Sequence, residues 1–127
     1  MICLDTNYLI LGLVVGSSES SELREWAVAG ATMVTPMVAW YEFLCGPVTE
    51  VQRATMRAFV QPLLPFDESQ AHTAAQLFND AGRRRSLRVD AMIAAAAMSA
   101  NASLATNNRE DFAVFVASGL RLYEPSR

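Results

Sequence analysis

No stretch of the chain limits its fold as sharply as residues 91–97, which read Ala-Met-Ile-Ala-Ala-Ala-Ala. Alanine is the best helix former, so a helix is expected here, over about 90–101. A surface helix needs a polar face, and this one has none, so it has to be buried. Its small side chains permit close approach to a sheet. Short apolar runs of strand length fall at about 2–5, 32–36, 63–66, 103–106 and 120–124. They alternate with longer segments of helical character at about 7–14, 19–29, 37–46, 50–61, 68–85, 90–101 and 109–117. That alternation predicts the α/β class, with a parallel sheet covered by helices on both faces.

Local signals mark the helix ends. Thr49 with Gln52 and Asp67 with Gln70 have the spacing of capping boxes, while Gly30, Gly46 and Gly119 fit helix termini. At 127 residues with no repeat or long linker, one domain over 1–127 is expected, large enough to bury a core without staples. Hydrophobic residues make up 52% and charged ones 18%, which argues against disorder and leaves apolar surface for a partner. The net charge of −3 supplies no global attraction for nucleic acid, so any such contact must come from a local patch. All ten basic residues are Arg. Without lysine, Walker-type phosphate loops, Schiff-base enzymes and lysine-dependent phosphoaspartate chemistry are disfavoured. Cys3 and Cys45 lack metal-ligand spacing and are read as reduced core residues. The apolar start has no basic leader and is broken at Asp5 well before a spanning length of about 20 residues. A cytoplasmic protein with no membrane association is expected.

The acids are most informative for where they stand alone. Asp5 is the only charged residue in 1–18, Glu42 in 26–49 and Asp90 in 89–108. An unpaired carboxylate in an apolar element is costly and calls for a partner that favours ionisation. Asp5 ends the first expected strand, at the carboxyl edge where open α/β sheets bind ligands. The helix from Asp90 runs away from that edge and the strand 103–106 returns to it, bringing Asn108 and Asp111 to the same side. Glu42 lies one to two turns into the helix after the second strand, also near this edge. Oxygen ligands without His or Cys favour Mg²⁺, or Mn²⁺, over zinc. Each acid also has a plainer explanation. Asp5-Thr6-Asn7 fits a helix cap, Asp90 suits a helix amino end, Glu42 suits a solvated helix face, and Asn108 with Asp111 resembles an N-cap.

These pieces resemble the PIN-domain family, and within it the VapC-like toxins of bacterial and archaeal toxin–antitoxin pairs. The resemblance is carried by Leu4-Asp5-Thr6-Asn7, by Trp40-Tyr41-Glu42-Phe43-Leu44 with Gly46 behind it, by Asp90-Ala91-Met92-Ile93-Ala94-Ala95, and by Ala105-Thr106-Asn107-Asn108-Arg109-Glu110-Asp111-Phe112. It implies a three-layer α/β/α sandwich around a parallel sheet of about four to five strands, a Mg²⁺-dependent endoribonuclease, a homodimer, and inhibition by a cognate antitoxin. Asp5, Glu42 and Asp90 carry over as the catalytic and metal-binding acids, with Thr6, Asn7 and Thr106 beside them. Thr106 matches the family's residue next to the site and is suited to hydrogen-bond a carboxylate or water. Members with four acids carry Asp where this chain has Asn108, so Asn108 or Asp111 completes the metal site and a second ion is in question.

The mechanism expected is metal-assisted hydrolysis of an RNA phosphodiester, since a single histidine, His72, rules out a two-histidine ribonuclease. His72 itself is read as structural or surface. Arg83, Arg84, Arg85 and Arg88 form the only basic cluster and are candidates to grip RNA phosphates; the alternative is a solvated helix end where Arg complements the dipole. Trp40, Tyr41 and Phe43 suit core or interface packing better than base stacking. Three rivals stand beside the ribonuclease. A phosphatase is opposed by the missing lysine and by Asn7 where a second acid is needed. A DNA nuclease remains open, as does a non-catalytic module whose acidic pocket docks a partner protein.

Overall fold

A computed structural model of the chain describes residues 1–125; residues 126–127 of the expected 1–127 unit lie outside the described residues. The strands are β1 (Ile2–Leu4), β2 (Met33–Pro36), β3 (Leu63–Leu64), β4 (Ser103–Ala105) and β5 (Arg121–Leu122). The helices are α1 (Thr6–Leu11), α2 (Ser18–Val28), α3 (Met37–Leu44), α4 (Glu50–Phe59), α5 (Glu68–Asp80), α6 (Arg88–Ser99) and α7 (Arg109–Ala113). Two 3₁₀ turns, Arg85–Leu87 and Val116–Ser118, join them.

All strand pairs are parallel and the sheet order is β3-β2-β1-β4-β5. β1 and β2 are buried along their whole length, as central strands covered on both faces must be. The chain steps in one direction from β1 to β3 and in the other from β3 to β5. Because parallel crossovers are right-handed, that reversal sends α1 to α4 to one face and α5 to α7 to the other. The result is the α/β/α sandwich with a five-stranded parallel sheet.

The alanine helix behaves as its composition requires. Ala91 and the run Ile93–Ala97 are buried, and α6 packs on α5, β2 and β4. Leu4, Leu9, Phe43, Ile93, Leu104 and Phe112 are among the fully buried side chains of the core. Tyr8, Trp26 and Tyr123 tie α1, α2 and the end of the sheet together, with Tyr8 and Trp26 stacked at 5.9 Å and Trp26 edge-on to Tyr123 at 4.9 Å.

Both capping boxes form, at Thr49 with Gln52 and at Asp67 with Gln70. One expected boundary is corrected. The helix drawn to residue 85 stops at Asp80, because Gly82 and Arg83 take left-handed backbone conformations, φ +91° and +61°, that reverse the chain. A second correction concerns Cys45, which is exposed while Cys3 is buried. α3 ends at Leu44 and buries Ala39 and Phe43, so Cys45 caps the helix at the surface. No helix among the described residues is long and apolar enough to cross a membrane.

Candidate active site

The sheet's direction reverses at β1 and β4, so the connections after these neighbouring strands leave toward opposite faces. A crevice opens beyond their carboxyl ends, the usual ligand position in open α/β sheets. Leu4 pairs with Ala105 at the ends of the strands, and the next residues, Asp5 and Thr106, enter the crevice side by side. The Asp5 amide donates to the Ala105 carbonyl at 3.1 Å and fixes that register.

Asp5 is buried, 6% exposed. Its Oδ1 accepts from the Thr6 amide at 2.8 Å and its Oδ2 from the Thr106 hydroxyl at 2.7 Å. It is therefore both the N-cap of α1 and a member of the crevice. Thr106 is itself held, accepting from the Asn108 amide at 2.9 Å. Across the crevice the Thr6 hydroxyl donates to Glu42 Oε1 at 2.7 Å, tying α3 to α1. Glu42 stands on the exposed side of α3, whose Ala39 and Phe43 face the core. Asp90 lies in the first turn of α6, half-buried. Asn108 donates from Nδ2 to Asp111 Oδ2 at 2.9 Å, so this amide and this acid act as one unit at the amino end of α7.

Electrostatics link these groups across the fold. Burial raises the Asp5 carboxyl, hydrogen bonds from Thr106 and Thr6 oppose the rise, and Glu42 adds to it. Asp90 is pushed up to about 6, first by burial and then by the charges of Asp5, Asp111 and Glu42. Burial and then Asp5 push up the neighbouring Cys3 thiol, which keeps it protonated and inert. The ion pairs of the described residues involve Glu50, Glu68 and Glu124. None uses Asp5, Glu42, Asp90 or Asp111. Four acids from separate elements thus share one region, and among the described residues no ion pair offsets them.

Among the described residues no three His, Cys, Asp or Glu side chains already stand in a metal-holding group. The carboxylates share a field rather than a closed ligand set, since hydrogen bonds from the protein direct oxygens of Asp5, Glu42 and Asp111. An all-oxygen donor set of excess negative charge suits a hard divalent cation such as Mg²⁺ or Mn²⁺.

Of the residues expected here, Asp5, Thr6, Glu42, Thr106, Asn108 and Asp111 are joined by hydrogen bonds, and Asp90 by its field. Asn7 is exposed and outside this network. Glu19 was missed: its Oε2 accepts from Asn107 Nδ2 at 3.0 Å, joining α2 to the rim. No local pattern announces a pair separated by 88 positions. His72 is a surface residue beside Glu68, at 3.5 Å. Phe43 is buried, Trp40 packs on it at 5.1 Å, and Tyr41 is 65% exposed.

The family model of the PIN domain matches residues 2–115. No curated protein matches the sequence. Among solved structures, FitAcB from Neisseria gonorrhoeae is similar at TM-score 0.73 and 19% identity, over 98% of each chain. VapBC2 from Rickettsia felis, bound to a DNA fragment from the promoter, gives 0.72 and 19% over 99% of this chain and 100% of that one. VapBC-1 from nontypeable Haemophilus influenzae gives 0.66 and 20% over 98% of each. At these identities the likeness is one of fold.

Proposed function

The chain belongs to the PIN domain family, and from that premise we propose that it is a metal-dependent endoribonuclease, acting in the cytoplasm as the toxin of a toxin–antitoxin pair. The observation that carries the reading is the set of uncompensated carboxylates at the switch point of the sheet. Asp5 and Asp90, with Glu42 and Asp111 at the margin, are the residues to hold Mg²⁺ or Mn²⁺. Such an ion supplies Lewis acidity to a phosphodiester and makes a nearby water more acidic. The side chains do the rest. Thr106 and the Thr6 amide fix both oxygens of Asp5, so its geometry is set before substrate arrives. Thr6 holds one oxygen of Glu42, and the other is free to orient the attacking water or take its proton. Asn108 holds one oxygen of Asp111 through its Nδ2, and the other oxygen of this carboxylate is the fourth donor.

An antitoxin partner is supported by the neighbours of like fold that were solved as toxin–antitoxin complexes. Exposed apolar side chains, Val15 at 91% and Ile10 at 43% among them, suit a protein surface. Ile10, Leu13, Val14 and Val48 line a cleft of about 210 Å³ there. A homodimer is part of the same proposal.

The purified chain should cleave mixed RNA in Mg²⁺ or Mn²⁺ and stop in EDTA. Asp5→Asn and Asp90→Asn should each abolish cleavage, with circular dichroism unchanged. Full activity in either folded variant, or cleavage indifferent to EDTA, would refute the assignment of these acids; no cleavage by the folded native chain in either metal would leave the docking module as the reading.

A further inference from the structure

A second site lies around the corner from the carboxylates. Arg83, Arg85 and Arg88 line a pocket of about 240 Å³ together with the half-buried ring of Phe78. Nothing within the fold explains these cations. Arg24, Arg53, Arg57, Arg109 and Arg121 each reach an acceptor or an acid. Among the described residues Arg83, Arg84, Arg85 and Arg88 reach neither. The helix dipole does not account for Arg85 and Arg88 either, because Arg85 lies in the turn that leads into α6 and Arg88 is its first residue. Cations at an amino end are disfavoured by the dipole. For Arg85 and Arg88 that weighs against the helix-dipole explanation and leaves a local demand for an anion.

The chemistry of that anion follows from the lining. Several guanidiniums with free donors suit phosphate oxygens, and an adjoining aromatic ring suits an unpaired base. Arg88 and Asp90 are two positions apart on one helix, so their side chains point to different sides of α6. The pocket is thus offset from the acids by roughly a helix diameter, ~10 Å, too far to share one phosphate with them. Resting on the ribonuclease reading, we propose that this pocket clamps a single-stranded nucleotide flanking the cleaved bond, its phosphate on Arg85 and Arg88 and its base on Phe78.

The test measures binding apart from cleavage, using Asp5→Asn chain and a labelled single-stranded RNA of mixed sequence. Adding Arg85→Ala and Arg88→Ala should weaken binding by roughly tenfold or more. It should also lower the slope of log K against log salt by about 0.7 for each phosphate that is no longer neutralised. Arg84→Ala, outside the pocket, should act less. Phe78→Leu should weaken single-stranded binding but not that of the matching duplex. With Asp5 restored, the arginine changes should raise KM and leave kcat unchanged, as for an interaction made equally before and during reaction. Unchanged affinity and salt slope in the folded double variant overturn the clamp. So does a loss confined to an acidic peptide such as polyglutamate, which makes the pocket a protein-docking site. A native chain that cleaves no RNA, while its Asp5→Asn form binds RNA through these arginines, removes the nuclease and keeps the clamp.

Discussion

A hydroxyl both donates and accepts, and Thr106 uses each capacity: it gives its proton to Asp5 Oδ2 and receives the Asn108 amide. Valine has the same shape and neither capacity. Thr106→Val therefore strands the Asn108 N–H and frees an oxygen of a buried acid, which should cost about 1–3 kcal/mol in urea denaturation. Loss of the group that orients Asp5 should also weaken Mn²⁺ binding by roughly 10–100-fold in calorimetric titration. A variant that denatures and binds like the native chain would show that Thr106 merely fills space. At this scale the sequence was legible where a residue's isolation was itself the signal. Asp5, Glu42 and Asp90 stand out because their surroundings are apolar. The bond from Thr6 to Glu42 joins residues 36 positions apart through two common side chains, and no pattern exposes it.

Elements were legible where their determinants are local. The two capping boxes depend on residues three apart and form as expected. The end of α5 depends instead on Gly82 and Arg83 turning left-handed. A helical pattern running past that point conceals the turn, so Arg83, Arg84 and Arg85 sit in the connection between α5 and α6 and only Arg88 is on a helix. α6 is the element the sandwich is built around, and its alanines set how closely it approaches β2 and β4. Ala95 has no exposed surface. Ala95→Leu inserts volume where the core has no room and should lower stability by about 1–3 kcal/mol. An unchanged or raised urea midpoint would mean that the helix has slack against the sheet.

For the molecule as a whole, the carboxylates set a pH dependence with a definite sign. The folded chain holds the Asp90 proton up to about 6 against an ordinary 3.8, and Asp5 shifts the same way. Between those values the folded state binds more protons than the unfolded one, so stability falls as pH rises through about 4 to 6 and levels off above. In EDTA the urea midpoint should be higher near about pH 5 than near about pH 7, and Asp90→Asn should shrink the difference. Saturating Mg²⁺ should raise the midpoint at the higher pH, where the acids are ionised. A metal-free chain that is more stable at neutral pH than in mild acid would contradict the shared field. The outer strands, β3 and β5, bear on partners of any kind, for each is two residues long. So short a rim offers too few free backbone groups to template an incoming strand. A protein partner would have to bind through side chains fitted against the helices, and a peptide built to extend the sheet would find almost no backbone to grip.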